Sequence, residues 1–513
     1  MGAISNKRVA QNTVILYFRM MLTLGVALYV SKVALEVLGA SDYGVYNVVG
    51  GVVSMLAFIN ASMGAGTSRF MAFELGRGDN EKLSKVFNVS LVSHVVIASI
   101  IFLISETVGL WFVNSQLVFP SERSFAVNVV YQISILTAML QFTQLPFNAD
   151  IIAHEEMGIY AYLSIADVFL KLLMALFLKY VETPDGLIAY SILLFIIQTI
   201  ILLSYRFYCL KHYPESRWNF VKDKTMYKEI LTFSGWDVVG GLTMVTQGQG
   251  INILLNIYFG PVVNAARAIA YQVQGAFHQF TSNFMTAVNP ELIKSYARKE
   301  FRDMIQLVND SALYSYYLLL LFVLPLMFKL SFLLNLWLGK YPENTVEFTE
   351  LVLALMMIRS LARPVIFATH ATGDIKSLNL YAGILGLFPL PVSWMFLYYG
   401  ASAITTFWIL LIWGILANTA EIIILKTKMK EYFSIVEHMK NVYLRSLLVT
   451  ALLFPLIYIT SISFSDTIIS FSIYYIISLL FGVVILFYVG IPARMKKNIY
   501  NLIKNKYALY RTK

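Results

Sequence analysis

Cysteine is almost missing from this chain: a single residue in 513, Cys209, excludes any internal disulfide. Histidine is sparse as well, with six residues, and no Cys, His and carboxylate set falls at metal-ligand spacing, so neither a metal nor another cofactor is expected. Charge is scarce too, at 13% of residues, against about 25% in soluble domains. That excludes an ordinary soluble protein. Alternating apolar and polar residues are also lacking, which excludes a membrane β-barrel. No cleavable signal peptide is evident: the first apolar run is too long and leads directly into a second.

What the chain has instead is apolar length, with 58% hydrophobic residues. Runs of about 20 residues recur from end to end, each able to cross about 30 Å of hydrocarbon as a helix. Fourteen spans are read: 12–38, 43–66, 86–113, 125–148, 158–181, 186–208, 230–258, 262–289, 308–336, 345–368, 377–399, 401–425, 442–463 and 467–491. Between them "LGASDYG", "FGPVVN", "LGKYPEN" and "YYGAS" supply the Gly, Pro and Asp that stop helices.

The basic residues set the expected orientation. With both termini in the cytoplasm, only Arg123, Lys179 and Lys340 fall outside. Arg19, Lys32, Lys171, Arg267, Lys329 and Arg359 are left inside the membrane, and the rest of the 39 Lys and Arg are counted to the cytoplasmic side, Arg206, Arg363 and Arg445 at the cytoplasmic ends of their spans. The net charge of +10 is thereby assigned to anchoring beside anionic lipid, through the loop "KHYPESRWNFVKDKTMYKE" and the tail "RMKKNIYNLIKNKYALYRTK", and no nucleic-acid partner is expected. The loops left outside are too short to carry a catalytic domain, so the chain is not expected to be an enzyme.

The chain also repeats. At an offset of 221 residues "LGASDYGVY" falls on "FGPVVNAAR", and Gly39, Arg77, Asn88 and Ser90 meet Gly260, Arg298, Asn309 and Ser311. The offset spans six helices, an even number, so both copies start on the same side, as in parallel-repeat transporters. The expected organisation is an N-lobe (1–208, spans 1–6), a cytoplasmic linker (209–229), a C-lobe (230–427, spans 7–12), an extra helix pair (428–493) and a basic tail (494–513).

These residues resemble a family. The pattern N-x-x-x-L-x-x-R ending at Arg19, then "LGASDYGVYNVVGG", is similar to the start of the polysaccharide transporters, the Wzx-type flippases of the multidrug/oligosaccharidyl-lipid/polysaccharide (MOP) exporter superfamily. The resemblance implies an all-α integral membrane protein, a V-shaped bundle of two pseudo-symmetric six-helix lobes plus a terminal pair. It implies alternating access and movement of an undecaprenyl-diphosphate-linked oligosaccharide, an O-antigen or capsule repeat unit, across the bacterial inner membrane. The partners would be that glycan lipid, membrane lipids and a glycan polymerase of the same pathway.

Each ionisable group inside a bilayer needs a reason. Arg19, deep in span 1, is read either as a cavity cation for a diphosphate or as the structural partner of Asp237 or Glu421; its planar fork of donors suits phosphate. Lys32 has Glu36 one turn later and reach to the outer boundary. Asp167 and Lys171 are also i,i+4, so a self-neutralising pair competes with an ion-coupling role for Asp167; Asp237 is the other ion-coupling candidate. Span 8 carries Arg267, Tyr271, Gln274, His278 and Ser282 on one helical face. That stripe suits a sugar's hydroxyls and rings, or interhelical hydrogen bonds. Span 7, "GWDVVGGLTMVTQGQGIN", is a bending or closely packing helix. Arg359 and Arg363 share a face of span 10, lining an inner vestibule or anchoring the inner boundary. Spans 13 and 14 form either an apolar groove for a lipid tail or two further packing helices. The competing readings of the whole are a MATE-like proton- or Na+-coupled small-molecule antiporter, which would place unpaired carboxylates in its cavity, and a membrane-embedded glycan polymerase or ligase.

Overall fold

The computed structural model describes the backbone of residues 2–154, 156–372, 383–492 and 496, and most side chains from residue 21 onward, 56–62 and 233–244 being the largest groups left aside. Among the described residues every regular element is a helix. In chain order they are α1 (Gly2–Arg77), α2 (Asn80–Ser115), α3 (Ser121–Ala153), α4 (Met157–Tyr180), α5 (Gly186–His212), α6 (Lys224–Phe259), α7 (Pro261–Ala297), α8 (Phe301–Phe328), α9 (Leu330–Leu338), α10 (Thr345–Ala371), α11 (Ile384–Tyr398), α12 (Ile404–Met429), α13 (Ile435–Ser463) and α14 (Ile468–Gly490). Nine helices among the described residues are long and apolar enough to cross a membrane; this is a multi-pass membrane protein. α4, α6 and α7 also fall on expected spans. The part of span 11 before residue 383 lies outside the described residues.

The glycine turns come out as the offset requires. α1 breaks at Gly39, with φ 71° and ψ 171°, and Gly260 between α6 and α7 has φ 78° and ψ −179°. This region is essentially reserved for glycine. The turns after Arg77 and Arg298 match as well. Gly78 and Lys299 both have positive φ, 70° and 62°, and their amides donate to Leu75 O and Tyr296 O, each at 3.0 Å. Further on, Asn88 donates to Arg217 O (3.1 Å) and accepts from Asn219 N (2.8 Å). Its counterpart Asn309 accepts from His438 Nδ1 (2.6 Å), and positions 217 and 438 are again related by the same offset. In each copy an asparagine, buried at 88 and half-buried at 309, holds the segment that follows the sixth span.

Two compact units are formed. One comprises 1–269, 341–345 and 386–406, the other 270–340, 346–385 and 407–513. In the first, α1, α3, α5 and α6 pack together. Val45, Val49, Val127, Val130, Tyr131 and Ile135 lie in its core. The "LGASDYGVY" stretch works here as a structural clasp. Arg123 donates from Nε and Nη2 to Asp42 (3.0 and 2.6 Å) and from Nη1 and Nη2 to Asp185 (2.7 and 3.0 Å). Tyr46 packs edge-on against Tyr190. Asp185 also caps α5, accepting from Leu187 N and Ile188 N. The hydrogen bonds from Arg123 hold its carboxyl below the ordinary carboxylate range.

In the second unit α8, α10, α13 and α14 share one core that includes Leu320, Val323, Leu353, Val449, Leu453 and Tyr474. Tyr474 and Tyr475 donate to Pro325 O (2.9 Å) and Phe322 O (3.1 Å), carbonyls on α8. Lys329 donates to Asp466 (2.7 Å) and Phe464 O (2.8 Å) in the turn between α13 and α14. The opposite faces of this pair, with Leu447, Ile462, Ile469 and Leu480, are exposed and apolar, as a bilayer-facing surface should be.

Candidate functional site

The second unit brings polar side chains of α7, α10 and α12 together. Arg359 Nη2 and Nη1 contact the two Glu421 carboxylate oxygens at 2.8 and 3.1 Å, and Nη1 also donates to Asn418 Oδ1 at 2.6 Å. Asn418 in turn donates to Ile358 O (2.8 Å). Gly414 makes the approach possible: a Cβ there would run into the Leu355 side chain. Glu421, buried and named at the sequence level as a partner for Arg19, is thus engaged by Arg359 in a bidentate pair whose geometry fixes both side chains.

One turn further on, Arg363 Nη2 donates to His278 Nε2. Among the described residues no carboxylate pairs with Arg363. His278 is exposed, while Tyr271 and Gln274, on the same face of α7, are half-buried. The other face of α7 is apolar: Val273 and Phe277 pack against the core shared by α8, α10, α13 and α14. The result is a helix with one greasy side locked in and one side of amide, phenol and imidazole, beside a guanidinium whose charge no described carboxylate offsets. Arg363 gained its significance only from the structure. The sequence showed it on one face with Arg359 but could not show which of the two Glu421 would neutralise.

Arg267 belongs to the first unit. It is buried, and its Nη2 donates to Gly248 O on α6 at 2.7 Å. Around it three buried asparagines tie the ends of α6 and α7 together. Asn264 donates to Asn252 O and Oδ1 (2.6 and 2.9 Å), and Asn256 donates to Asn264 Oδ1 (3.1 Å) and accepts from Val118 N (2.8 Å). These satisfied amides are cross-links of the kind that packed membrane helices use, and Asn256 and Asn264 carried no periodic signal that marked them in advance. A separate cavity of this unit, of about 520 Å³, is lined by Met55, Phe112, Ile253, Leu390 and Trp394 among others and offers no charge to a phosphate.

The remaining ionisable candidates sort simply. Lys171 donates to Asp167 at 2.7 Å, the i,i+4 pair anticipated on α4. Lys32 and Lys179 approach the two oxygens of Glu36 at 3.9 and 3.7 Å. The side chains of Arg19 and Asp237 lie outside the described residues.

No family description matches the chain, and no curated protein matches it. Solved structures do. The lipid II flippase MurJ, in an inward closed conformation, aligns with a TM-score of 0.69 at 14% identity, covering 92% of this chain and 97% of MurJ. An inward-facing multidrug resistance MATE family transporter of the MOP superfamily aligns at 0.59 and 13% identity, covering 80% of this chain and 98% of the transporter. A MOP superfamily transporter from Pyrococcus furiosus, noted for a binding pocket of reverse polarity, aligns at 0.57 and 15% identity over 82% and 95%. The chain therefore has the fold of the MOP superfamily transporters.

Proposed function

We propose that this protein is a flippase that moves an anionic lipid-linked oligosaccharide, of the undecaprenyl-diphosphate class that the sequence resemblance implies, across the bacterial inner membrane by alternating access. The observation that carries the reading is the wall formed by Tyr271, Gln274, His278 and Arg363. A diphosphate needs a cation whose charge is not already spent, and no described carboxylate pairs with Arg363; the sugar needs amides and a ring beside it. The likeness in length supports the same choice. MurJ, a lipid II flippase, covers 92% of the chain, whereas the MATE transporter covers 80%. Two described carboxylates deep in the expected spans, which a cation antiporter would want open, are engaged: Asp167 by Lys171 and Glu421 by Arg359. Arg267, Arg359 and Arg19 remain proposed contributors to the same path, and Asp167 and Asp237 proposed ion-coupling residues. The six-helix lobes 1–208 and 230–427, the linker 209–229, the helix pair 428–493 and the tail 494–513 are the proposed organisation, with both termini in the cytoplasm and a glycan polymerase as a pathway partner.

The test is chemical. Lipids that co-purify with the protein are extracted and weighed by mass spectrometry. A polyprenyl-diphosphate sugar is expected with the wild type and a loss of about tenfold or more with Arg363→Gln, since a charge-assisted hydrogen bond contributes about 1.5–3 kcal/mol. Recovery of no such lipid, together with proton-coupled efflux of cationic dyes, would favour the antiporter instead.

A further inference from the structure

At the end of α3 and in the turn that follows α5, three ligand-bearing side chains converge. Asp150 is fully buried, Glu215 is 8% exposed, and His154 lies between them at the end of α3. His154 Nδ1 is 3.0 Å from Asp150 O and 3.4 Å from Asp150 Oδ1, and its Nε2 is 3.2 Å from Glu215 Oε1. Potential ligand atoms of all three residues lie within 4.8 Å of one another. The sequence hid this set, because Asp150 and His154 are one turn apart but Glu215 comes only after two further helices.

The hydrogen-bond pattern asks for a cation. His154 Nδ1 donates to the Asp150 carbonyl, which leaves the lone pair of a neutral ring on Nε2. That lone pair faces a carboxylate oxygen. Two acceptors at 3.2 Å repel unless a positive charge sits between them. Asp150 Oδ2 accepts from the Ser216 hydroxyl, but Asp150 Oδ1 and Glu215 Oε1, both buried, have no hydrogen-bond partner. Buried carboxylate oxygens left without donors are costly. The site is also pre-built. Asn88 grips Arg217 O and Asn219 N just beyond Glu215, and His154 stacks on Tyr213 with ring centroids 4.0 Å apart. An imidazole whose second nitrogen donates to a backbone carbonyl is the usual arrangement of a metal-binding histidine.

We propose that Asp150, His154 and Glu215 bind one divalent transition-metal ion, which staples the end of α3 to the turn after α5. One imidazole nitrogen and two carboxylate oxygens suit the borderline Zn2+, or the harder Mn2+ through its carboxylates, better than Mg2+ or Ca2+, which take oxygen ligands. Such a staple fixes the end of the first unit that the proposed topology puts in the cytoplasm, and it is independent of what the protein transports.

The experiment uses the full chain in detergent, stripped with chelator and dialysed against Zn2+, Mn2+ or Mg2+. Bound metal is counted by elemental mass spectrometry and Mn2+ by its electron-paramagnetic spectrum. One Zn2+ or Mn2+ per chain is expected, with Mg2+ competing poorly. Binding should weaken by at least about tenfold in Asp150→Asn, Glu215→Gln and His154→Gln. His154 is partly exposed, so His154→Gln, checked for a monodisperse elution peak, decides the matter even where a buried variant fails to fold. A wild-type chain that retains no Zn2+ or Mn2+, or one-to-one binding that His154→Gln leaves unchanged, overturns the proposal and makes His154 an imidazolium shared by two carboxylates.

Discussion

Arg359 and Arg363 sit one helical turn apart on α10, and their surroundings assign them different work. Arg359 is clamped by Glu421 and Asn418, and Glu421 is almost fully buried. Glu421→Gln leaves the guanidinium without its counter-charge, and the expected loss is near the lower end of the roughly 3–5 kcal/mol typical of a broken buried pair, since Arg359 itself is about a third exposed. Arg363→Gln removes a cation that no described carboxylate neutralises, so the melting temperature should hardly move while export falls. Thermal melts in detergent beside an export assay separate the two; equal destabilisation by both would make Arg363 structural. The Asp42–Arg123–Asp185 clasp supplies a pH test. Asp185 has its folded-state carboxyl lowered by Arg123, so its stabilisation is present above its unfolded value of about 3.9 and is lost as pH falls further, through the folded value. Melting temperature should be flat between about pH 7 and 5 and drop below about pH 4, and the drop should be smaller in Arg123→Met, which no longer has the pair to lose.

At the scale of elements, Gly39 and Gly260 test whether the repeat is a backbone fact. A Cβ at either position would meet nothing within 4 Å. Any cost of Gly39→Ala or Gly260→Ala is therefore conformational, about 1–3 kcal/mol, from forcing a side chain into a glycine-only region. Similar losses in unfolding free energy at the two sites are expected; a neutral Gly260→Ala would mean the turn relaxes. α7 offers a second test at this scale. Single cysteines at Gln274 and His278, in a Cys209→Ser background, should react with a water-soluble thiol reagent, whereas cysteines at Val273 and Ala276 should react slowly; equal rates on the two faces would remove the polar wall. The glycine turns and this two-faced helix were legible because glycine and periodicity are local signals. The pairing of Glu421 with Arg359 was not, since either of two arginines on α10, or Arg19, offers the same charge to one carboxylate. The buried asparagines at 252, 256 and 264 were hidden for a related reason: an amide looks the same in a sequence whether it greets a sugar or a neighbouring helix.

On the scale of the whole molecule, the terminal helices decide between two pictures of the C-terminal end of the chain. If α13 and α14 only supplied a groove for a lipid tail, their removal would stop transport and leave the rest folded. Their side chains argue for more. Val449, Leu453, Ile457 and Tyr474 are buried in the same core as Leu320, Val323 and Leu353 of α8 and α10, and Tyr474 reaches the Pro325 carbonyl, one of the last four of α8, which ends at Phe328 and leaves these carbonyls without intrahelical donors. Removing the pair would uncover apolar and hydrogen-bonding surface that was built to be covered, and inside a membrane an unsatisfied carbonyl costs several kcal/mol. A chain ending at Met429 should therefore accumulate poorly in the membrane fraction and melt at a lower temperature. Co-expressing residues 430–513 as a separate chain should restore part of both. A truncated protein that melts like the full chain but no longer exports would return α13 and α14 to a purely lipid-handling role.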